Sequence, residues 1–324
     1  MKKIFITGGS GFIGINTALF FIKKKYKVKI FDNLSRKGSR ANLKYLDNKI
    51  IFERGNIENF EKLKKSIKKF KPSLIINCAG QVAVTTSIVN PRLDFNSNAL
   101  GTFNILEVVR NLNYKCRIIH LSTNKVYGDL SENKIIEKKL NYSFIRSKKG
   151  IDEKQNLDFK SPYGCSKGAS DQYVLDYHKS FNVDGIVLRQ SCIYGNNQFG
   201  IEDQGWIAWM TLCVIFEKRI NIFGNGKQVR DILHVKDLVN LFYLISKKKT
   251  LKSRVYNVGG GINNSLSILE LINYLKKFHK KNISVKYFKE RIGDQKIYIS
   301  NINKAKKELN WKPHISKIQG IKLI

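Results

Sequence analysis

The sequence predicts an α/β fold: a Rossmann-type, doubly wound parallel sheet with a smaller, discontinuous α/β lobe near the C-terminus. Three observations carry this. Short apolar runs alternate with longer segments of helical periodicity through the first two-thirds of the chain, the pattern of a parallel sheet covered by helices on both faces. A glycine-rich turn joins the first apolar run to the first helical segment. Beyond about residue 195 the alternation loosens into mixed segments and turns such as "FGNGK" and "VGGG", as expected of a second lobe over the carboxyl ends of the strands.

Taken in order, "KIFITG" (3–8) reads as the first buried strand, and "GINTALFFIKKK" as the helix after it. "KVKIFD" (27–32) and "KIIFERG" (49–55) are the next two strands, followed by the amphipathic "NFEKLKKSIKKF". "SLIINCAG" (73–80), the helical "ALGTFNILEVVRNL" and "CRIIHLST" (116–123) repeat the unit. Pro162 opens a further helix, and "GIVLRQS" (185–191) is the strand that follows it.

"TGGSGFIG" lies between strand and helix, with Gly8, Gly11 and Gly14 spaced G-x-x-G-x-x-G. Such a turn lets backbone approach a pyrophosphate, and the helix N-terminus adds N–H donors and partial positive charge. Asp32 ends the second strand, where a carboxylate accepts hydrogen bonds from both ribose hydroxyls, and this favours NAD. Arg36 and Lys37 lie just beyond and could instead attract the 2′-phosphate of NADP. Residues 1–190 are therefore expected to form an NAD-binding domain. Residues 191–324 are expected to be mostly a substrate-binding lobe, with segments at about 228–260 returning to the first domain.

Tyr163 and Lys167, in "SPYGCSKGASDQYVLDYHKSF", are i and i+4 and share one helical face. An ammonium beside a phenol is expected to pull the phenol down from about 10 towards working pH. The phenolate could then take a proton from a sugar hydroxyl as hydride leaves. Thr123, at the end of a strand, is placed to donate or relay a hydrogen bond to the same oxygen.

The bulk numbers exclude several classes. The net charge of +34 would suit a polyanion, yet the lysine runs read as solvated helix faces, and nucleic-acid-binding signatures are lacking. No uncharged apolar run of about 18 residues is present, so no membrane span is expected. The apolar N-terminal run is broken by glycines before it could serve as a secretion signal. Five dispersed cysteines without a C-x-x-C pair argue against a disulfide framework or a metal site and for a reducing cytoplasm. The chain stops at "GIKLI", so a short last helix is expected.

Together with "NCAGQVA", "NPRLDFNSNALGTFNILE", "LSTNKVYG", "FGNGKQVRDILHVKDL" and "YNVGGG", these motifs resemble the extended short-chain dehydrogenase/reductase family nearly end to end. That family includes NAD-dependent nucleotide-sugar epimerases and dehydratases. The resemblance implies Thr123, Tyr163 and Lys167 as the catalytic trio, with Asn98 as a helix-distorting residue near the proton relay. It implies a cofactor cleft formed by Gly8, Gly11, Phe12, Ile13, Gly14, Asp32, Asn33, Asn56, Ile57, Ala79, Gly80, Gln81, Asn98, Tyr163 and Lys167. Asn56 stands where an aspartate usually contacts adenine, a mild departure. It further implies Val84, Thr123, Asn124, Lys125, Gln204, Arg230 and Arg291 on the substrate side, the two arginines gripping a diphosphate. The alternative for these arginines is surface pairing with Asp231 or Asp294.

Dehydratases of this family usually carry Asp-Glu after the threonine, and here Asn124-Lys125 replace them. Neither can act as the paired acid and base, so 4,6-dehydration should be weak or absent. Reversible oxidation of a sugar carbinol remains, enough for an isomerase. "TNKVYG", "SPYGCSKGASDQYVLDY" and "LRQSCIYGNNQFGIEDQGWIAW" are most similar to the CDP-paratose (CDP-tyvelose) 2-epimerase subfamily. The resemblance then implies inversion at C2 of a CDP-linked hexose, in surface-polysaccharide (O-antigen, lipopolysaccharide) synthesis. A UDP-sugar 4-epimerase is the alternative, and a non-catalytic NAD- or nucleic-acid-binding protein a third. Trp206 and Trp209 either shape the sugar pocket or cap the lobe core, and "NKIIEKKLNYSFIRSKKG" either covers the sugar or decorates the surface. A homo-oligomer built on the Tyr163 helix and the "GTFNILEVVRNL" helix is implied as well.

Overall fold

The computed structural model describes residues 1–46, 48–291 and 293–324. Seven parallel strands make the central sheet: β1 (Lys3–Thr7), β2 (Lys27–Asp32), β3 (Ile50–Arg54), β4 (Leu74–Asn77), β5 (Arg117–Thr123), β6 (Gly185–Gln190) and β7 (Val255–Val258). Their order is 7-6-5-4-1-2-3, so the winding direction reverses between β1 and β4. A crevice outside the carboxyl ends of strands forms where the direction reverses.

Side chains alternate across the sheet, and both faces are buried except at the edge strand β3, where Ile51 and Phe52 are exposed. Ile4, Ile6, Ile30, Ile76 and Ile119 face one core, while Phe5, Phe31, Ile75 and Ile118 face the other. This two-sided burial is why the strands read as continuous apolar runs. Lys29 is the exception inside β2, and it is buried against Glu53 of β3 at 2.5 Å. β7 is too short to stand out in the sequence; it lies within the stretch expected to return to the first domain. The helices Val235–Lys247 and Asn303–Leu309, with Trp311, pack into the same core as Ile4 and Ile30.

The lobe has its own core of Tyr194, Ile207, Met210, Ile222, Ile232, Leu271 and Leu275. It is built on the strands Cys192–Tyr194, Val229–His234, Ser265–Ser267 and Ile297–Tyr298, and on the helices Trp206–Ile215 and Ile268–His279. The basic stretch after Gly128 contains an antiparallel hairpin, Ile135–Glu137 with Tyr142–Phe144. Tyr142 and Phe144 are buried with Val126, Tyr127 and Tyr298, and Asn141 Nδ2 donates to Glu270 at 2.6 Å. The hairpin thus braces the lobe against the sheet. Its lysines conceal the apolar alternation that would have revealed it.

Candidate active site

Two adjoining cavities open at the carboxyl ends of the strands. The first, about 360 Å³, is lined by twelve of the expected cofactor residues: Gly8, Gly11, Phe12, Ile13, Gly14, Asp32, Asn33, Asn56, Ile57, Ala79, Gly80 and Gln81. The turn at its floor requires glycine for two distinct reasons. Gly8 has φ +62° and passes so close to Ala79 that a Cβ would sit 2.7 Å from its backbone. Gly14 packs its helix onto the turn, where a Cβ would lie 2.2 Å from the Gly8 carbonyl oxygen. Gly11 is the N-cap of the helix Phe12–Lys23, so the free N–H groups of the first turn point into the cleft. Asp32 accepts hydrogen bonds from Ser10 N (3.0 Å) and Leu34 N (2.7 Å), which fix its carboxylate at the rim. Asn56 Oδ1 accepts from Glu58 N, so among the described residues its amide nitrogen is uncommitted. A close-approach cradle, a helix N-terminus and a rim carboxylate fit a dinucleotide.

The second cavity, about 480 Å³, is lined by all seven expected substrate residues together with Tyr163 and Cys192. Phe12, Ile13, Val82, Gln198 and Gln204 border both cavities, so the two form one continuous trough.

The helix Pro162–Phe181 delivers Tyr163 to the wall of the second cavity, while Lys167, expected beside the cofactor, lines neither cavity and is buried against β5. The helix starts cleanly because Ser161 Oγ accepts from Gly164 N and Pro162 needs no donor there, a cap worth about 1 kcal/mol. It is pinned to the sheet by Asp171, fully buried, which takes two guanidinium bonds from Arg189 (2.8 and 3.0 Å) and one from Ser122 Oγ (2.8 Å). Removing one partner of such a pair costs about 3–5 kcal/mol.

Thr123 and Tyr163 both line the second cavity, and the Thr123 hydroxyl, which also accepts from Lys125 N at 3.3 Å, favours the ionised phenol. The tyrosine–lysine pairing differs from expectation. Burial pushes the Tyr163 phenol up to about 12, and the groups opposing this are the Thr123 hydroxyl and the Arg36 guanidinium across the cleft. Lys167 instead directs its ammonium to the Leu121 carbonyl of β5, and burial brings it down to about 8. The i, i+4 spacing places both residues on one face, but the longer lysine reaches past the phenol to the strand.

Asn98 lies in a π-helical turn, Asn96–Leu100, and donates to the Gln81 carbonyl (3.0 Å), Asp94 (3.2 Å) and Ser166 (3.1 Å). Its Oδ1 is buried with no partner among the described residues. Gln81 borders the cofactor cavity with its amide tied to the Ala83 carbonyl and Asp94. Asp94 is the residue that sequence reasoning missed. It is fully buried beneath the tyrosine and takes hydrogen bonds from Gln81, Asn98 and Ser166. The available signal was an acid one helical turn before Asn98, on the same face.

Asn124 and Lys125 point to the lobe. Asn124 Nδ2 donates to Gln295 (2.6 Å), and Lys125 Nζ donates to the Gly293 carbonyl (3.1 Å) and Asp294 (3.3 Å). Arg230 pairs with Asp294 at 2.6 Å, while Arg291 pairs with Asp203 at 2.7 Å and lies 3.9 Å over the Phe223 ring. Both arginines therefore line the cavity and hold carboxylates there. Trp206 borders the cavity and donates to Cys192 Sγ, whereas Trp209 packs on the lobe core.

A parallel sheet with a glycine cradle at its reversal point, and a Tyr-x-x-x-Lys helix beside a strand-end threonine, define a Rossmann-type protein with a dinucleotide-shaped cleft. Residues 5–324 match the family described as GDP-mannose 4,6 dehydratase. The chain is 42% identical to the CDP-paratose 2-epimerase of Salmonella typhi, over 98% of this chain and 97% of that one. The structure of UDP-glucose 4-epimerase from Thermotoga maritima with UDP-glucose superposes with a TM-score of 0.84 at 27% identity, covering 99% of this chain and 96% of that one. The Thermus thermophilus UDP-glucose 4-epimerase complex with NAD gives 0.85 at 25% identity, covering 99% and 97%. The chain belongs to the extended short-chain dehydrogenase/reductase family, among its sugar-nucleotide epimerases and dehydratases.

Proposed function

We propose that this protein is an NAD-dependent isomerase that inverts C2 of a CDP-linked hexose, as a CDP-paratose/CDP-tyvelose 2-epimerase does, in the synthesis of surface-polysaccharide sugars. The observation that supports it most is the replacement of the dehydratase acids by Asn124 and Lys125, both tied to the 293–295 loop in a site that keeps Thr123, Tyr163 and Lys167. The 42% identity with a CDP-paratose 2-epimerase supports the nucleotide and the carbon. The residues lining the first cavity would hold NAD, which would supply the hydride acceptor and donor for inversion of the sugar carbon.

The chain's own residues handle the proton and the placement. The helix Phe12–Lys23 and the Gly8 turn hold a pyrophosphate, and Asp32 orients a ribose. Tyr163 is placed to exchange a proton with the reacting hydroxyl. Burial holds its phenol at about 12, the Thr123 hydroxyl and Arg36 guanidinium oppose this, and the positive charge of a bound oxidised cofactor would favour the phenolate further. Lys167 holds its positive charge at the Leu121 carbonyl of β5, and Asp94 balances it. Arg230 and Arg291 face the substrate diphosphate with the forked geometry suited to it. The sugar can rotate between the two hydride transfers because the second cavity is wide and mostly walled by side chains of the lobe.

Five unpaired cysteines suit a cytoplasmic site of action, and no helix of the described residues is long and apolar enough to cross a membrane. Tyr173, against Phe103, and Phe181, against Tyr177, are half-exposed on the Tyr163 helix and are the surface for pairing with a second copy. Purified enzyme with CDP- and UDP-hexoses, followed by NMR assignment of the inverted carbon, tests the function. Inversion at C2 of a CDP-sugar is expected, and inversion at C4 of a UDP-sugar would replace this reading with a 4-epimerase.

A further inference from the structure

Most polar groups around the second cavity are already committed within the protein. Asn124 is bound to Gln295, Lys125 to Gly293 and Asp294, Ser191 Oγ to the Asp231 carbonyl, and Cys192 to Trp206. Gln190 is different. It ends β6 directly beside Thr123 in the parallel ladder, so its side chain leaves the sheet on the same side as the threonine. It lines the second cavity, is 7% exposed, and its Nε2 has no partner among the described residues. Gln198 and Gln228 also have an uncommitted amide atom in this wall, but in each that atom is the acceptor oxygen.

A buried donor without a partner is costly, and native proteins seldom carry one unless a water or ligand supplies the acceptor. Next to Thr123 and Tyr163 the acceptor available during turnover is the sugar. The reacting oxygen is served by those two residues, which leaves the other hexose oxygens for the amide. We propose that Gln190 is a specificity-determining residue, its amide donating a hydrogen bond to a hexose oxygen other than the one at the reacting carbon. This rests on the epimerase reading above and adds what selects among hexoses.

Gln190→Met keeps the volume and removes the donor. Wild-type enzyme and the variant are compared by kcat/KM on CDP-glucose and its 3-, 4- and 6-deoxy analogues, with bound NAD quantified after gel filtration. Wild type should penalise one deoxy sugar by about ten- to a hundredfold, the discrimination expected of a lost hydrogen bond to a buried donor. In Gln190→Met that one penalty should shrink to within about threefold, with the other two unchanged. The melting temperature should be equal or higher, since an unsatisfied buried amide is gone. Gln190→Asn, with a shorter reach, should behave like the methionine variant. A uniform loss on all four sugars, with or without loss of NAD, would overturn the assignment, as would a marked fall in melting temperature. Failure of wild type to epimerise any of the four or CDP-paratose refutes the epimerase reading itself and the assignment with it, whereas turnover with unchanged ratios refutes the assignment only.

Discussion

Replacing Lys167 with methionine should abolish activity while leaving the fold intact, and its effect on stability should depend on pH in a defined way. The ammonium is fully enclosed, and burial lowers it from 10.5 to about 8. At 1.36 kcal/mol per unit, keeping it charged at pH 7 costs folding about 3 kcal/mol. Methionine removes that cost and forfeits the hydrogen bond to the Leu121 carbonyl, worth about 1–3 kcal/mol. At pH 7 the variant should therefore be as stable as wild type or slightly more so. Because the folded state has the lower pKa, the unfolded chain binds more protons between about 8 and 10.5, and wild type gains stability as pH rises through that window. The variant lacks this gain, so its stability relative to wild type should fall by about 3 kcal/mol between pH 7 and 10.5. Guanidinium denaturation of both proteins at several pH values measures this, and other lysines cancel in the difference. A difference that stays constant with pH would refute the claim that Lys167 is a desolvated ammonium.

Two further perturbations probe the supports of the site. Asp94→Asn keeps the shape and removes a negative charge that holds the Lys167 proton. Its kcat should fall about tenfold with KM unchanged, and the alkaline limb of the kcat profile should move to lower pH by about one unit. Phe199→Ala removes the ring that packs on Gly38, where the 196–199 segment meets the 33–42 loop over the cofactor cleft, a junction also held by Asn42 Nδ2 on the Asn197 carbonyl. NAD should then dissociate at least about tenfold faster, as measured by the cofactor retained after repeated dilution.

The elements legible in the sequence were those set by local rules. Five strands of the sheet stood out as apolar runs because both faces are buried, the edge strand β3 stood out by its Ile-Ile-Phe run although Ile51 and Phe52 are exposed, and the Gly8–Gly14 turn stood out because backbone contact demands glycine. Helical spacing was enough to put Tyr163 and Lys167 on one helix, though only Tyr163 lines a cavity. What escaped depended on partners distant in sequence. Lys167 finds its acceptor on β5, Asp94 gains its role only when Gln81 and Ser166 close on it, and Lys125 is claimed by Asp294 of the lobe. The Ile135–Phe144 hairpin was hidden for the same reason, since Tyr142 and Phe144 are buried by residues such as Val126 and Tyr298.

The central claim is transient oxidation at C2 with return of the same hydride. Turnover of a CDP-hexose carrying deuterium at C2, followed by NMR and mass analysis of the inverted product, tests it most directly. Full retention of deuterium at C2 in ordinary water is the expected result. Washout of the label to solvent, or inversion at C4 with C2 untouched, would contradict it.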